Sequence, residues 1–209
     1  MNFNRFLEKL EHIESANLAG LDAQFKLAPK LRFRYNEDKI NALNPKKAAV
    51  LAFFYPNLNY ETCFLLTQRA TYKGTHSAQI SFPGGKVEEN DKNLEETALR
   101  ESFEEVGIYK NSIQIIRELT DVFIPPSNFI ATPFIGFSHK KPKFKINNEV
   151  EKTIEVLVSD FLSEKSISSI EISNAYMKNV TVPCFKLNNH IVWGATAMML
   201  SEIKELINS

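Results

Sequence analysis

No charge of one sign predominates in this chain. Its 25 acidic and 25 basic residues balance, so the whole molecule offers no field that would gather nucleic acid or an anionic membrane. An anionic substrate has to be attracted locally. Long apolar runs are missing as well: no stretch approaches the roughly 18 residues of a membrane span, and Met1-Asn2-Phe3-Asn4-Arg5 lacks the apolar segment of a secretory leader. These absences argue against membrane and nucleic-acid partners and point to the cytoplasm. Cysteine is scarce. Cys63 and Cys184 stand far apart, with neither CxxC spacing nor a nearby His pair, which predicts two buried free thiols. There is no internal repeat and no low-complexity segment, and 209 residues of ordinary composition suffice for one domain with a real core.

What is present reads as an α/β pattern. Phe3, Phe6, Leu7 and Leu10 recur at helical spacing and predict an opening amphipathic helix, while residues 17–45 mix Gly20, Pro29 and Pro45 into an irregular lead-in. The apolar runs Ala48 to Phe54 and Cys63 to Thr67, bounded by turn residues, predict two neighbouring buried strands. Further strands are expected at Ser112 to Ile116, Val122 to Ile124, Phe129 to Phe137 and Val156 to Val158. Pro133 hints that the third of these lies at a sheet edge. Residues 159–172 read as a polar connection, Thr181 to Leu187 and His190 to Trp193 as a hairpin around Asn188-Asn189, and Thr196 to Ile207 as a closing helix.

Chemistry concentrates between Gly84 and Ile108. Asn93, with Glu96 three residues on, predicts a helix N-cap, and Gly107 its C-terminal stop, so a helix should run over 94–106. At about 100° per residue, Glu101, Glu104 and Glu105 share one stripe, with Leu99, Phe103 and Val106 opposite. Like charges at these spacings cost a helix about 0.2–0.5 kcal/mol per pair, so something must compensate them. Water does so on an ordinary solvated face. The preceding Pro83-Gly84-Gly85 turn favours a ligand instead, because glycines let backbone approach it closely. A hard divalent cation, Mg²⁺ or Mn²⁺, wants several such oxygens and would neutralise a diphosphate while activating a water. Arg100, which does not lose its proton, is suited to orienting carboxylates or contacting phosphate rather than to base work.

Gly85 to Ile108 resembles the Nudix box: Gly, a spacer, an acid, then Arg100-Glu101-Ser102-Phe103-Glu104-Glu105-Val106-Gly107-Ile108. Ser102 stands where the family prefers an apolar residue, and Asp91, at the first acidic position, lies one residue farther from Arg100 than the general pattern has it. The resemblance implies an α/β/α sandwich with a mixed sheet over residues 1–209 as a single domain, 1–44 forming the lead-in. It also implies a metal-dependent diphosphohydrolase with metal ligands Glu101, Glu104 and Glu105 and with Arg100 in the catalytic group. Leu65-Leu66-Thr67-Gln68-Arg69-Ala70, His76, Gln79 and Phe82-Pro83-Gly84-Gly85 are similar to the extra motif of the coenzyme A pyrophosphatase branch. Pro125 to Phe129, Glu149-Val150 and Ile191 to Thr196 are similar to that branch too. Such enzymes split coenzyme A into 3′,5′-ADP and 4′-phosphopantetheine. On this resemblance Arg69, Lys73, His76, Phe82, Gly84 and Gly85 are expected to bind substrate, although Gly74 and Ala78 depart from the motif and Lys73 has to supply the missing arginine's charge.

Each single residue also has a plainer reading. His76 suits an exposed loop as well as a phosphate contact; Glu149 and Glu151 suit solvated acids as well as a base or ligand. Trp193 suits a core anchor, and Lys140, Lys141, Lys143 and Lys145 suit a solvent-facing run. The small-molecule partner is a nucleotide derivative, and a homodimer is compatible with the sequence. ADP-ribose or another nucleoside diphosphate derivative is the alternative substrate, and a non-catalytic nucleotide-binding module the alternative class. The intact carboxylate stripe argues against the latter.

Overall fold

The computed structural model describes residues 1–70, 79–173 and 179–209. The opening helix is divided at Lys9 into α1 (Phe3–Glu8) and α2 (Leu10–Ser15), with Phe3, Phe6 and Ile13 wholly buried. The lead-in is more ordered than its composition predicts. It holds α3 (Gly20–Phe25), a 3-10 turn over Lys30–Arg34 and α4 (Glu37–Ala42). The side chain of Asn36 caps α4 by accepting from the Lys39 amide, a local signal that the neighbouring proline and glycine obscure.

Both buried strands form, as β1 (Lys46–Pro56) and β2 (Thr62–Arg69), yet they pair only where Phe54 to Pro56 meets Phe64 to Thr62. Beyond that they splay, and the wedge is filled by β3 (Ile80–Ser81) on β2 and β4 (Gly84–Lys86) on β1. Gly84 makes this insertion possible. Its φ is 153°, and a Cβ would fall 2.4 Å from the Ala49 carbonyl oxygen, so no other residue fits so close to β1.

The helix α5 (Leu94–Val106) has the predicted bounds. Asn93 accepts from the Glu96 amide at 2.8 Å, and Gly107 is left-handed at φ 74°. Then follow β5 (Gln114–Glu118), β6 (Val122–Ile124) and β7 (Phe129–Phe137), with β7 parallel to β1 along nine residue pairs. Pro133 therefore lies in an interior strand, contrary to the edge expected. Its carbonyl accepts from Leu119 in the gap between β5 and β6, so its missing N–H faces a place where no ladder bond is needed. On the other side, β8 (Val150–Leu157) pairs with β2 and completes a mixed sheet of eight strands among the described residues.

Alternation along the strands makes the layers. Ala49, Leu51, Phe53 and Tyr55 of β1, with Cys63 and Leu65 of β2, bury against Ala98 and Val106 of α5. Ala52, Phe54, Phe64 and Leu66 face the opposite way, toward Phe3 and Phe6 of α1 and the closing helix α7 (Ala195–Asn208). The result is the α/β/α sandwich. Between β8 and α7, the supposed polar connection contains α6 (Val158–Leu162) and β9 (Ile167–Ile172). The latter joins β10 (Val180–Leu187) and β11 (His190–Trp193) in a small second sheet. Asn188 and Asn189 both take positive φ, 49° and 61°, as a two-residue hairpin turn requires. Both cysteines are buried and free. No helix among the described residues is long and apolar enough to cross a membrane.

Candidate active site

The carboxylate stripe of α5 stands beside β4, but its three acids have different surroundings. The Glu105 side chain is only 4% exposed. One oxygen accepts from the Gly84 amide at 3.1 Å and the other lies 3.4 Å from Arg69 Nη1. Burial pushes its pKa up to about 7. The negative charges of Glu101 and Glu149 act in the same direction, against the Gly84 amide and Arg69. Glu101 occupies the space that Gly85 leaves open: a Cβ there would meet its carboxylate at 2.4 Å. Burial raises the Glu101 pKa too, while Arg100 opposes the shift. Glu104 is half exposed.

Arg100 ties the cluster together. Its Nε and Nη2 each donate to Asp91 at 2.9 Å, and Nη2 also reaches the Lys86 carbonyl at 3.0 Å. Nη1 donates to Glu101 at 3.1 Å and Glu104 at 3.2 Å. The Asp91 carboxylate further accepts from the Glu88 amide and the Thr97 hydroxyl, and Arg100 holds it well below the usual carboxylate range. Asp91, though one residue farther from Arg100 than the general pattern has it, thus still meets Arg100 from the loop before α5. Ser102 is explained locally: it is buried and its hydroxyl donates to the Ala98 carbonyl at 2.7 Å, so no polar group is stranded in the core.

Glu149, weakly marked in the sequence, joins the cluster through Arg69 Nη2 at 3.3 Å, and the Ala70 amide donates to its carbonyl. Glu151 is exposed and accepts instead from Gln68. The ring of Phe82, expected to contact substrate, is 2% exposed and packs toward Phe64. Lys73 and His76, with the departures Gly74 and Ala78, lie outside the described residues. Phe103, placed by periodicity on the side opposite the carboxylates, is 46% exposed and packs on Tyr109, while Ala98 and Ser102 take the buried face. Trp193 is half-buried, and the four lysines between 140 and 145 are exposed. Sequence reasoning missed Thr97 and the Lys86 carbonyl, which have no motif signature because they act on Asp91 and Arg100 rather than on a ligand.

Among the described residues no three ligating side chains already form an ion cage. Guanidinium groups supply the counter-charge: Arg100 for Glu101 and Glu104, Arg69 for Glu105. The donor set nevertheless fits a hard divalent ion, because it consists of carboxylates on adjacent turns beside a glycine strand. Arg100 would keep Asp91 and the Lys86 carbonyl when Nη1 yields its two acids.

Comparison with known proteins gives the family. The model of the NUDIX domain matches residues 45–166. A protein of Photorhabdus laumondii named Uncharacterized Nudix hydrolase NudL is 30% identical over 149 residues, covering 68% of this chain and 76% of that protein. Nudix hydrolase 15, mitochondrial, of Arabidopsis thaliana is 32% identical over 75% of this chain, which spans 56% of that protein. A MutT/nudix family protein of Enterococcus faecalis shares the fold, with a TM-score of 0.53 at 13% identity over 97% of this chain and 74% of that one. Nudix hydrolases generally need divalent metal ions. With its box folded as a loop and helix against the glycine strand, and with the family model spanning the sheet around it, the chain belongs to the Nudix hydrolase family.

Proposed function

We propose that the chain hydrolyses the diphosphate of coenzyme A or an acyl derivative, using Mg²⁺ or Mn²⁺ held by Glu101, Glu104 and Glu105. The observation that carries the reaction class is the pair of packed carboxylates, Glu105 on the Gly84 amide and Glu101 in the space left by Gly85. A bound divalent ion would supply charge neutralisation, polarisation at phosphorus and a lower pKa for water. Asp91 and the Lys86 carbonyl hold Arg100, which in turn aims Glu101 and Glu104. Arg69, Lys73 and His76, with the backbone at Gly84 and Gly85, bind the substrate phosphates. In this reading Glu149, 59% exposed beside Arg69, accepts the proton of the attacking water as the new P–O bond forms and the bridging one breaks.

Support for coenzyme A itself comes from the branch-like segments around Arg69, Pro125-Pro126 and Trp193. We read residues 1–209 as one domain, since α1 and α7 bury against the same sheet face. The test is to incubate the protein with coenzyme A, ADP-ribose and nucleoside triphosphates plus Mg²⁺ or Mn²⁺ and to identify products by mass. 3′,5′-ADP and 4′-phosphopantetheine are expected. Brisk cleavage of ADP-ribose alone would overturn the substrate, and inertness toward all would overturn the reaction.

A further inference from the structure

On the sheet face away from the carboxylates, α7 borders a cavity of about 520 Å³, within the range of small-molecule sites. Its walls are largely apolar, with Leu27, Phe185 and Leu206 among them, and Ile167, 40% exposed, stands in its lining. Lys204 also lines it and is 93% buried, its relative exposure being 7%. Lysines are almost never so buried unless paired. This ammonium donates to the carbonyls of Ser163 at 3.0 Å and Phe161 at 3.4 Å, where α6 ends, and lies 5.9 Å from the Phe185 ring centroid. Those carbonyls accept two of its three hydrogens without neutralising its charge. Its anionic partner is Glu164 at 3.5 Å, whose side chain is 86% exposed, and an exposed, screened partner repays little of the cost of burial.

Capping a five-residue helix accounts for the two carbonyl contacts but calls for no cavity beside them. The other charges at the cavity, Lys26 and Glu205, pair with each other, which leaves Lys204 as the cation among its lining residues that has a weakly held counter-ion.

We propose that this cavity binds a short amphipathic carboxylate, its head displacing Glu164 from Lys204 and its tail lying against Leu27, Phe185 and Leu206. The site is separate from the Nudix box, and its occupancy is measured by binding rather than turnover. Octanoate and octan-1-ol, alike in chain length and different in charge, are titrated into the full chain and followed by calorimetry and by NMR shifts of the Lys204 side chain. Saturable octanoate binding is expected, at least tenfold tighter than octanol, with Lys204→Met abolishing the preference. Ile167→Trp, which narrows the cavity from an exposed strand position, should weaken octanoate binding even if the Lys204 variant does not fold. Equal affinities, no saturable octanoate binding, or octanoate affinity untouched by a folded Lys204→Met or by Ile167→Trp would each overturn the proposal.

Discussion

Three glutamates that look equivalent on a helical wheel are set apart by a few ångströms of packing. Replacing Glu101 or Glu105 by Gln keeps shape but removes an anionic ligand of the proposed metal site, and turnover should fall at least about 100-fold with little change in folding. Glu95, exposed on the same helix, should tolerate Gln with near-normal turnover. Equal losses at all three would indicate a general helix defect and sink the site. Glu105 also sets a pH dependence. Its folded pKa of about 7 lies above the ordinary 4.5, so the metal-free fold gains from its neutral form below about 4.5 and loses that gain as pH rises through about 7. An ion bound at the proposed site must displace this proton. Metal affinity should therefore rise about tenfold per pH unit below 7 and level off above it, measurable by titrating Mg²⁺ calorimetrically between pH 5.5 and 8.5. A flat profile, or the same slope in Glu105→Gln, would remove Glu105 from the metal's first contacts.

The two adjacent glycines of β4 separate chemistry from folding at the scale of one element. At Gly85 a Cβ would meet only the carboxylate end of Glu101, a flexible side chain that can move aside. Gly85→Ala should therefore weaken metal binding and cut turnover at least about tenfold while stability stays within about 1 kcal/mol. At Gly84 the Cβ would strike the Ala49 carbonyl and the Val50 backbone at a φ of 153°, so Gly84→Ala should lower the melting temperature, by about 2–4 °C for each kcal/mol of strain. Reversed outcomes in thermal melts and assays would show that the wedge between β1 and β2 is held by something other than close approach. The helix α5, its caps, and the Asn188-Asn189 hairpin were legible in sequence because each is fixed by local chemistry. Pro133 misled because whether it lies at an edge depends on where β5 stops and β6 begins, which is a tertiary fact. The strand β9 escaped notice because it is exposed or half-exposed throughout, so burial leaves little apolar pattern to read. Phe103 shows the same limit: periodicity placed it with Leu99 and Val106, yet the sheet meets α5 along Ala98 and Ser102.

Across the whole molecule, three distant segments converge on one fully buried carboxylate that no motif announces. Glu202 of α7 accepts from the Thr120 hydroxyl at 2.6 Å and from the Gln24 amide at 3.0 Å, and Gln24 also donates to the Thr120 carbonyl at 2.8 Å. One residue along, Ser201 donates to the Ala23 carbonyl at 2.7 Å. The lead-in, the connection between β5 and β6, and the closing helix are thereby bound into one unit, although residues 17–45 read as irregular in sequence. Removing the carboxylate would strand one N–H of the buried Gln24 amide and deprive the half-buried Thr120 hydroxyl of its acceptor, at a cost of up to about 1–3 kcal/mol for each group. Glu202→Ala should then lower the melting temperature by roughly 5–15 °C, at about 2–4 °C per kcal/mol for a chain of this size. The exposed Glu164→Ala serves as the matched control and should stay within about 0.5 kcal/mol. Because the clasp joins the lead-in and α7 to the connection between β5 and β6, the wild type should unfold in a single transition that coincides by near- and far-ultraviolet circular dichroism. An early transition confined to helix signal would mean that the lead-in detaches on its own. A Glu202→Ala melt within 1 °C of wild type would show that apolar contacts alone hold α3 against α7.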